Sequence, residues 1–337
     1  MLKEQYQGWK FVDDDRFVCA RCFDDYAIQE YISNNVESTK CWYCKRRSKT
    51  PIAAPMNSVL EVIGDGIRSE YGHPDNEGMP VEGGAYVFPT MWILEVLDEV
   101  GNPIVNEAVQ DEIVDAFSDS LWVRRPLFGL SEDDRLRYGW RDFVKAVKYK
   151  TRYVFTIKKP KKSFIPSDAI PPAKMLDHIG QVLREVELVR EMKAGAQWIR
   201  ARQHNVTETF SSAADLGPAP RRKAWFSNRM SPAGIPMFYG AGDPDTAVAE
   251  TYAPKAGEPA VVTLGLFMAA REMLVLDLTD LPAVPSLFDE GRRHLRSGIS
   301  FLHDFVHDLT KPIARDGREH IDYVPTQVVS EYLRHVF

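Results

Sequence analysis

The sequence predicts a multidomain α+β protein, and three observations carry that expectation. All four cysteines fall within the first 44 residues, as Cys19-x2-Cys22 and Cys41-x2-Cys44. From Pro51 to about Pro160 apolar residues recur at helical spacing. From about Ala194 short apolar runs alternate with helical segments, as in a mixed α/β domain with short strands. The expected layout is a zinc ribbon-like four-cysteine module over 1–50, a helical domain over 51–165, a linker and connecting helix over 166–193, and a mixed α/β domain over 194–337.

The two CxxC pairs are separated by 18 residues, the spacing of a four-thiolate zinc site. Each pair, on a tight turn, offers two sulfurs to one ion, so Cys19, Cys22, Cys41 and Cys44 complete a tetrahedron. Four thiolates leave no open position, which makes the zinc structural. Disulfides would need an oxidising compartment, and a redox dithiol would need a βαβ unit around one pair. Fifty residues are too few to hold a core, so the metal is expected to supply it. Lys45-Arg46-Arg47 closes the module as a solvated charge cluster.

In the middle segment, Met56 to Ile67 places Val59, Leu60, Val62 and Ile63 on one helix. Pro89 to Val100 follows, with Pro89 where a helix can start. Asn106 to Phe117 spaces Val109, Ile113 and Phe117 four apart. Ser131-x-x-Asp134 reads as a capping box for a helix carrying Leu136, Trp140, Phe143 and Val147. Gly72 to Gly84 is a loop. Lys145 to Lys162 holds eight basic residues and no acidic one, with a short strand expected at Tyr153 to Ile157. Pro166 to Pro172 is the linker, and an amphipathic helix from Leu176 to Met192 leads into the C-terminal domain. There, strands are expected at Pro236–Gly240, Val261–Phe267 and Met273–Leu278.

Two common nucleotide motifs can be set aside. Gly240-Ala241-Gly242-Asp243 begins like a dinucleotide fingerprint, but aspartate stands where the third glycine belongs. No GxxxxGK[ST] is present, so any dinucleotide must be held by side chains. Candidates lie in Asn228-Arg229, Ser231-Pro232-Ala233-Gly234, Phe238-Tyr239 and Thr246-Ala247-Val248-Ala249-Glu250, with Trp198-Ile199-Arg200-Ala201-Arg202 upstream and Tyr323-Val324-Pro325-Thr326-Gln327 downstream. A guanidinium suits a diphosphate, an aromatic face suits a cationic ring, and a carboxylate suits a ribosyl cation. Taken singly, each has a bland alternative: a surface ion pair, a core ring, a solvated helix face.

As a set over about 140 residues, these elements resemble the RES domain, a family of NAD-consuming toxins related in fold to ADP-ribosyltransferases. The resemblance implies NAD as substrate, with Arg229 and Arg200 on the diphosphate. It also implies Tyr239 against nicotinamide and Glu250 stabilising the ribosyl cation, the catalytic set being Glu250, Tyr239 and Arg229. ADP-ribose would pass to water or phosphate. Modification of a macromolecule, or a sensor that binds nucleotide without turnover, are the alternatives. The family's serine lies on a strand after the YxxTQ helix. Here Gln327 to His335 reads as that helix, Ser330 lies on it, and the strand is expected to be lacking. The N-terminal half resembles the zinc-bearing, HEPN-like domain that precedes some RES domains. Arg68-x4-His73 has the spacing of a HEPN nuclease pair but sits at a helix end beside Gly72 and Pro74, and is not expected to cut RNA.

Composition bounds the rest. With 44% hydrophobic and 27% charged residues and a net charge of −6, the chain is ordinary globular protein with no general affinity for nucleic acid. The longest apolar run, Ala260 to Ala270, is too short to span a bilayer, and the first six residues hold no signal core. A cytoplasmic location is expected. The partners such an effector admits are a neutralising antitoxin or regulatory protein and a second copy of itself.

Overall fold

The computed structural model describes residues 8–154, 168–252, 260–313 and 317–337. They divide into two compact units, one comprising 1–135, 164–169 and 283–300, the other 136–163, 170–282 and 301–337. No helix among the described residues is long and apolar enough to cross a membrane.

In the first unit the cysteine segment and the following helices share one core, a correction to the separate module expected over 1–50. Strand Phe17–Cys19 pairs antiparallel with Ala53–Pro55, past the expected boundary. Cys19, Cys22 and Cys41 are buried in the same cluster as Val59, Leu60 and Ile63. The reason is economy of apolar area: so short a segment buries little on its own. Helix Tyr26–Asn34 is capped by Asp25, whose side chain accepts from the Ala27 and Ile28 N–H groups. Helix Met56–Glu70 follows the expected stripe and runs three residues further than Ile67. Its Gly64 and Gly66 let neighbours approach: a Cβ on Gly64 would meet the Trp9 ring at 2.6 Å, and one on Gly66 would meet Phe288 at 2.6 Å. Helices Ile93–Glu99 and Glu107–Ala116 complete the core, the second capped by Asn106. Within the Gly72 to Gly84 segment, strand Val81–Glu82 pairs with Ala85–Tyr86 through Gly83 and Gly84, both at positive φ.

The second unit is built on helices. Helix Glu132–Tyr149, whose Ser131 Oγ accepts from the Asp134 N–H at 3.1 Å, contributes Leu136, Trp140 and Phe143. These pack with helices Pro172–Glu185, Arg296–Thr310 and Val324–His335 through Ile179, Phe301, Phe305 and Val329. Trp140 stacks on Phe143 at 5.5 Å and meets Phe305 edge-on at 5.0 Å. Strand Gln197–Asn205 pairs antiparallel with Ala260–Met268 along its whole length, and Val189–Met192 pairs with Met273–Leu276.

Two expectations are corrected here. The connecting helix stops at Glu185 rather than Met192, because Glu187 turns into the left-handed region at φ 58° and releases Val189–Met192 to pair as a strand. Pro236–Gly240 forms no strand. Pro236 has no N–H to donate, and pairing begins only at Ala241, which exchanges both backbone bonds with Ile199 at 2.8 Å. Of the basic stretch, residues 145–149 are helical and 155–162 lie outside the described residues, as does most of the strand expected at 153–157.

Candidate functional sites

The four thiols come together as the spacing requires: their sulfurs all lie within 4.8 Å of one another. Cys19 closes the strand Phe17–Cys19, and Cys22 ends the 3-10 turn behind it. Cys41 and Cys44 sit on a tight hairpin closed by Cys41 N–H to the Arg46 carbonyl at 2.9 Å, with Lys45 left-handed at φ 59°. The Sγ separations are 3.9 Å for Cys19 and Cys22, 3.5 Å for Cys19 and Cys44, and 3.8 Å for Cys22 and Cys41. Metal–sulfur bonds of about 2.3 Å in a tetrahedron require sulfur separations of roughly 3.8 Å. The cluster therefore fits one metal ion. Burial pushes Cys19 up to about 11. The Cys22 thiol, aided by backbone N–H groups of Cys44 and Cys19, holds Cys41 down to about 4. Both the crowding and the amide donors are what a cation bound to thiolates would exploit.

Arg68 and His73 are engaged locally. Arg68 pairs with Asp65 on its own helix and lies 4.8 Å over the Trp9 ring, while His73 Nδ1 accepts from the Asp75 N–H at 3.3 Å.

The second unit contains a cavity of about 850 Å³ whose lining includes Arg200, Arg202, Lys223, Tyr239 and Glu250. Arg200 and Arg202 stand two apart on strand Gln197–Asn205, so the pleat turns both to one face. The Ile199–Ala241 bridge draws the Tyr239 backbone alongside, and Arg200 Nη1 donates to the Tyr239 carbonyl at 2.9 Å. Arg200 Nε is buried without a hydrogen-bond partner among the described residues. Desolvation, with the neighbouring Arg202 charge, lowers its pKa. Tyr239 keeps its hydroxyl 3.0 Å from Ser231 Oγ. Glu250 is exposed on helix Pro244–Thr251. That helix is capped by Asp243, which accepts from the Thr246 N–H at 2.8 Å, so the aspartate that spoils the glycine fingerprint serves as an N-cap.

Arg229 is placed differently from the other expected site residues. It occupies the tight turn Asn228–Ser231, closed by Asn228 N–H to the Ser231 carbonyl at 2.8 Å. Its Nη1 donates to the carbonyls of Leu309 and Lys311, both at 2.8 Å, where helix Arg296–Thr310 ends with unpaired acceptors. Arg229 is not among the residues that line the cavity. The late Thr326-Gln327 pair clamps the same turn: the Thr326 hydroxyl donates to the Arg229 carbonyl, and Gln327 Nε2 donates to the Asn228 carbonyl at 2.8 Å. Ser330 donates to the Thr326 carbonyl at 2.9 Å. Of the lining cations, Arg202 was named within a candidate segment but given no role, and Lys223 was passed over. Only the i, i+2 spacing from Arg200 signalled the first, and nothing in the sequence signalled the second.

Neither curated proteins nor solved structures yield a match to the chain. Family models do: residues 34–161 match the HEPN/RES N-terminal domain 1, and residues 197–336, which contain the cavity and the Thr326-Gln327 clamp, match the RES domain. The chain is a RES-domain protein with a HEPN/RES N-terminal domain.

Proposed function

We propose that the cavity binds NAD and that the protein cleaves the bond between nicotinamide and ribose, in keeping with the general association of RES domains with NAD-related toxins. The observation that carries this is Arg200: a half-buried cation whose buried Nε has no partner among the described residues, in a cavity that also holds Tyr239 and Glu250. An unpaired buried donor is costly, and a diphosphate oxygen would satisfy it with a charge-assisted bond. Arg202 supplies the second cation on the same strand face, the task first expected of Arg229. Arg229 instead positions the turn that holds Ser231 against Tyr239.

Tyr239 offers its ring to the cationic nicotinamide. As the glycosidic C–N bond breaks, nicotinamide leaves with the electron pair and becomes neutral. Positive charge develops on the ribose, where the Glu250 carboxylate opposes it. Water or phosphate then supplies the oxygen that bonds to the anomeric carbon, and in the case of water one proton is released. A structural zinc held by Cys19, Cys22, Cys41 and Cys44 belongs to the other unit and takes no part.

The test is mass spectrometry of NAD incubated with the purified chain, with and without phosphate. ADP-ribose or its 1''-phosphate is expected. A modified protein or intact NAD would instead select target modification or a non-catalytic sensor. Glu250→Gln should lose at least ~100-fold in turnover, the scale of one preorganised electrostatic group. Its NAD affinity by calorimetry should change far less, because the charge acts mainly in the transition state. Normal turnover by this variant would make the carboxylate structural.

A further inference from the structure

One lining element has no role in NAD cleavage as described, the segment Arg221–Phe226. Lys223, Trp225 and Phe226 line the cavity, yet Trp225 is 73% and Phe226 80% exposed. Apolar rings so exposed are costly unless something covers them. The segment is nonetheless held in place. Lys223 N–H donates to the Pro220 carbonyl at 2.7 Å, closing a 3-10 turn over Arg221–Lys223. The Trp225 indole N–H donates to the Arg222 carbonyl at 2.7 Å. The Ala224 carbonyl accepts from the N–H of Gly234, whose φ of 89° is open to glycine at little cost. The backbone of the segment and the Trp225 ring are thus held at the cavity, and Lys223 is the cation of this segment that lines it.

The charge balance indicates what they await. The diphosphate of a dinucleotide carries two negative charges, and Arg200 with Arg202 can meet both. Each spends one bond on a backbone carbonyl, Tyr239 for Arg200 and Asp215 for Arg202, and neither forms a salt bridge among the described residues. Lys223 is then a third cation in the lining, with Arg221 and Arg222 in the same turn, and none of the three pairs with a carboxylate of the described residues. Glu250 is the one carboxylate among the lining residues, and it is assigned to the ribose that loses nicotinamide. Among the described residues, no acidic side chain remains in the lining for the 2'-hydroxyl of the adenosine ribose. In Rossmann-type sites a carboxylate commonly meets that hydroxyl and a cation meets a 2'-phosphate, and the same electrostatics hold in any cavity that offers a cation there.

We propose that Arg221–Phe226 selects a dinucleotide carrying a third phosphate on its adenosine ribose, the NADP class. The adenine lies against Trp225 and Phe226, and Lys223, with Arg221 and Arg222, meets the 2'-phosphate. This rests on the cavity being a dinucleotide site, and the experiment separates the two claims.

The full chain is titrated calorimetrically with NAD and with NADP, and turnover of each is followed. NADP should bind about tenfold more tightly at low salt, the scale of one charge-assisted contact, and the preference should shrink as salt screens it. Lys223→Ala and the double variant Arg221→Ala/Arg222→Ala should lower NADP affinity about tenfold and NAD affinity much less. A 2'-phosphorylated adenosine nucleotide should compete better than its unphosphorylated counterpart. Thermal melts confirm that the variants fold. Equal or tighter binding of NAD overturns the proposal while leaving the dinucleotide site intact. A preference for NADP that survives both variants overturns the role of the segment. Failure of both dinucleotides to bind removes the dinucleotide site itself.

Discussion

Arg200 and Arg229 show how one residue type takes two jobs within a domain. Arg200 has a buried donor with no partner among the described residues, whereas Arg229 closes the end of a helix by bonding two carbonyls. Their alanine variants should therefore part company. Arg229→Ala should lower unfolding stability by about 2–3 kcal/mol, since hydrogen bonds from a charged donor contribute that scale and the carbonyls lose their partner. Arg200→Ala should leave the melting temperature nearly unchanged, or raise it, while weakening dinucleotide binding at least tenfold. Differential scanning calorimetry beside a binding titration checks both, and equal melting losses would show that Arg200 is structural too. From sequence, both arginines are expected on the diphosphate and only Arg229 in the catalytic set. What separates them is a helix end 80 residues further along the chain, and local spacing carries no record of that.

Among elements, legibility followed how much each depended on its own residues. Helix Met56–Glu70 was evident from periodicity because Val59, Leu60 and Ile63 are buried and Val62 packs against the same core, and the four cysteines were evident because ligand geometry forces their spacing. The end of helix Pro172–Glu185 was hidden: Val186 and Val189 suit a helical stripe and a strand alike, and the sheet partner Met273–Leu276 decided between them. Glycines in helices were similarly opaque. Alanine has the better helix propensity by about 1 kcal/mol, so Gly66→Ala would stabilise an isolated helix. Here the new Cβ would meet the Phe288 ring at 2.6 Å and the Leu287 carbonyl oxygen at 3.1 Å. The variant should lose about 1–3 kcal/mol by overpacking, and a denaturant titration that found it more stable would refute the close packing.

At the scale of the whole chain, the two units should answer separately to metal removal. Chelation should lower the melting transition of the first unit as a whole, because Cys19, Cys22 and Cys41 share its core rather than standing apart. The second unit, with its own core around Phe143, Ile179 and Phe305, should melt where it did before. Calorimetry with and without a strong chelator, alongside elemental analysis for zinc, tests this. A purified chain without zinc, or one transition shifting uniformly, would count against it. The clamp on the Asn228–Ser231 turn has a genetic consequence. Thr326 and Gln327 lie about a hundred positions from the turn they fasten and are not in the cavity lining, yet Tyr239 reaches its partner Ser231 only through that turn. A selection for chains that have lost activity should therefore recover substitutions at 326 and 327 alongside those at 200, 239 and 250. It should also yield second-site revertants that restore the turn without touching the cavity.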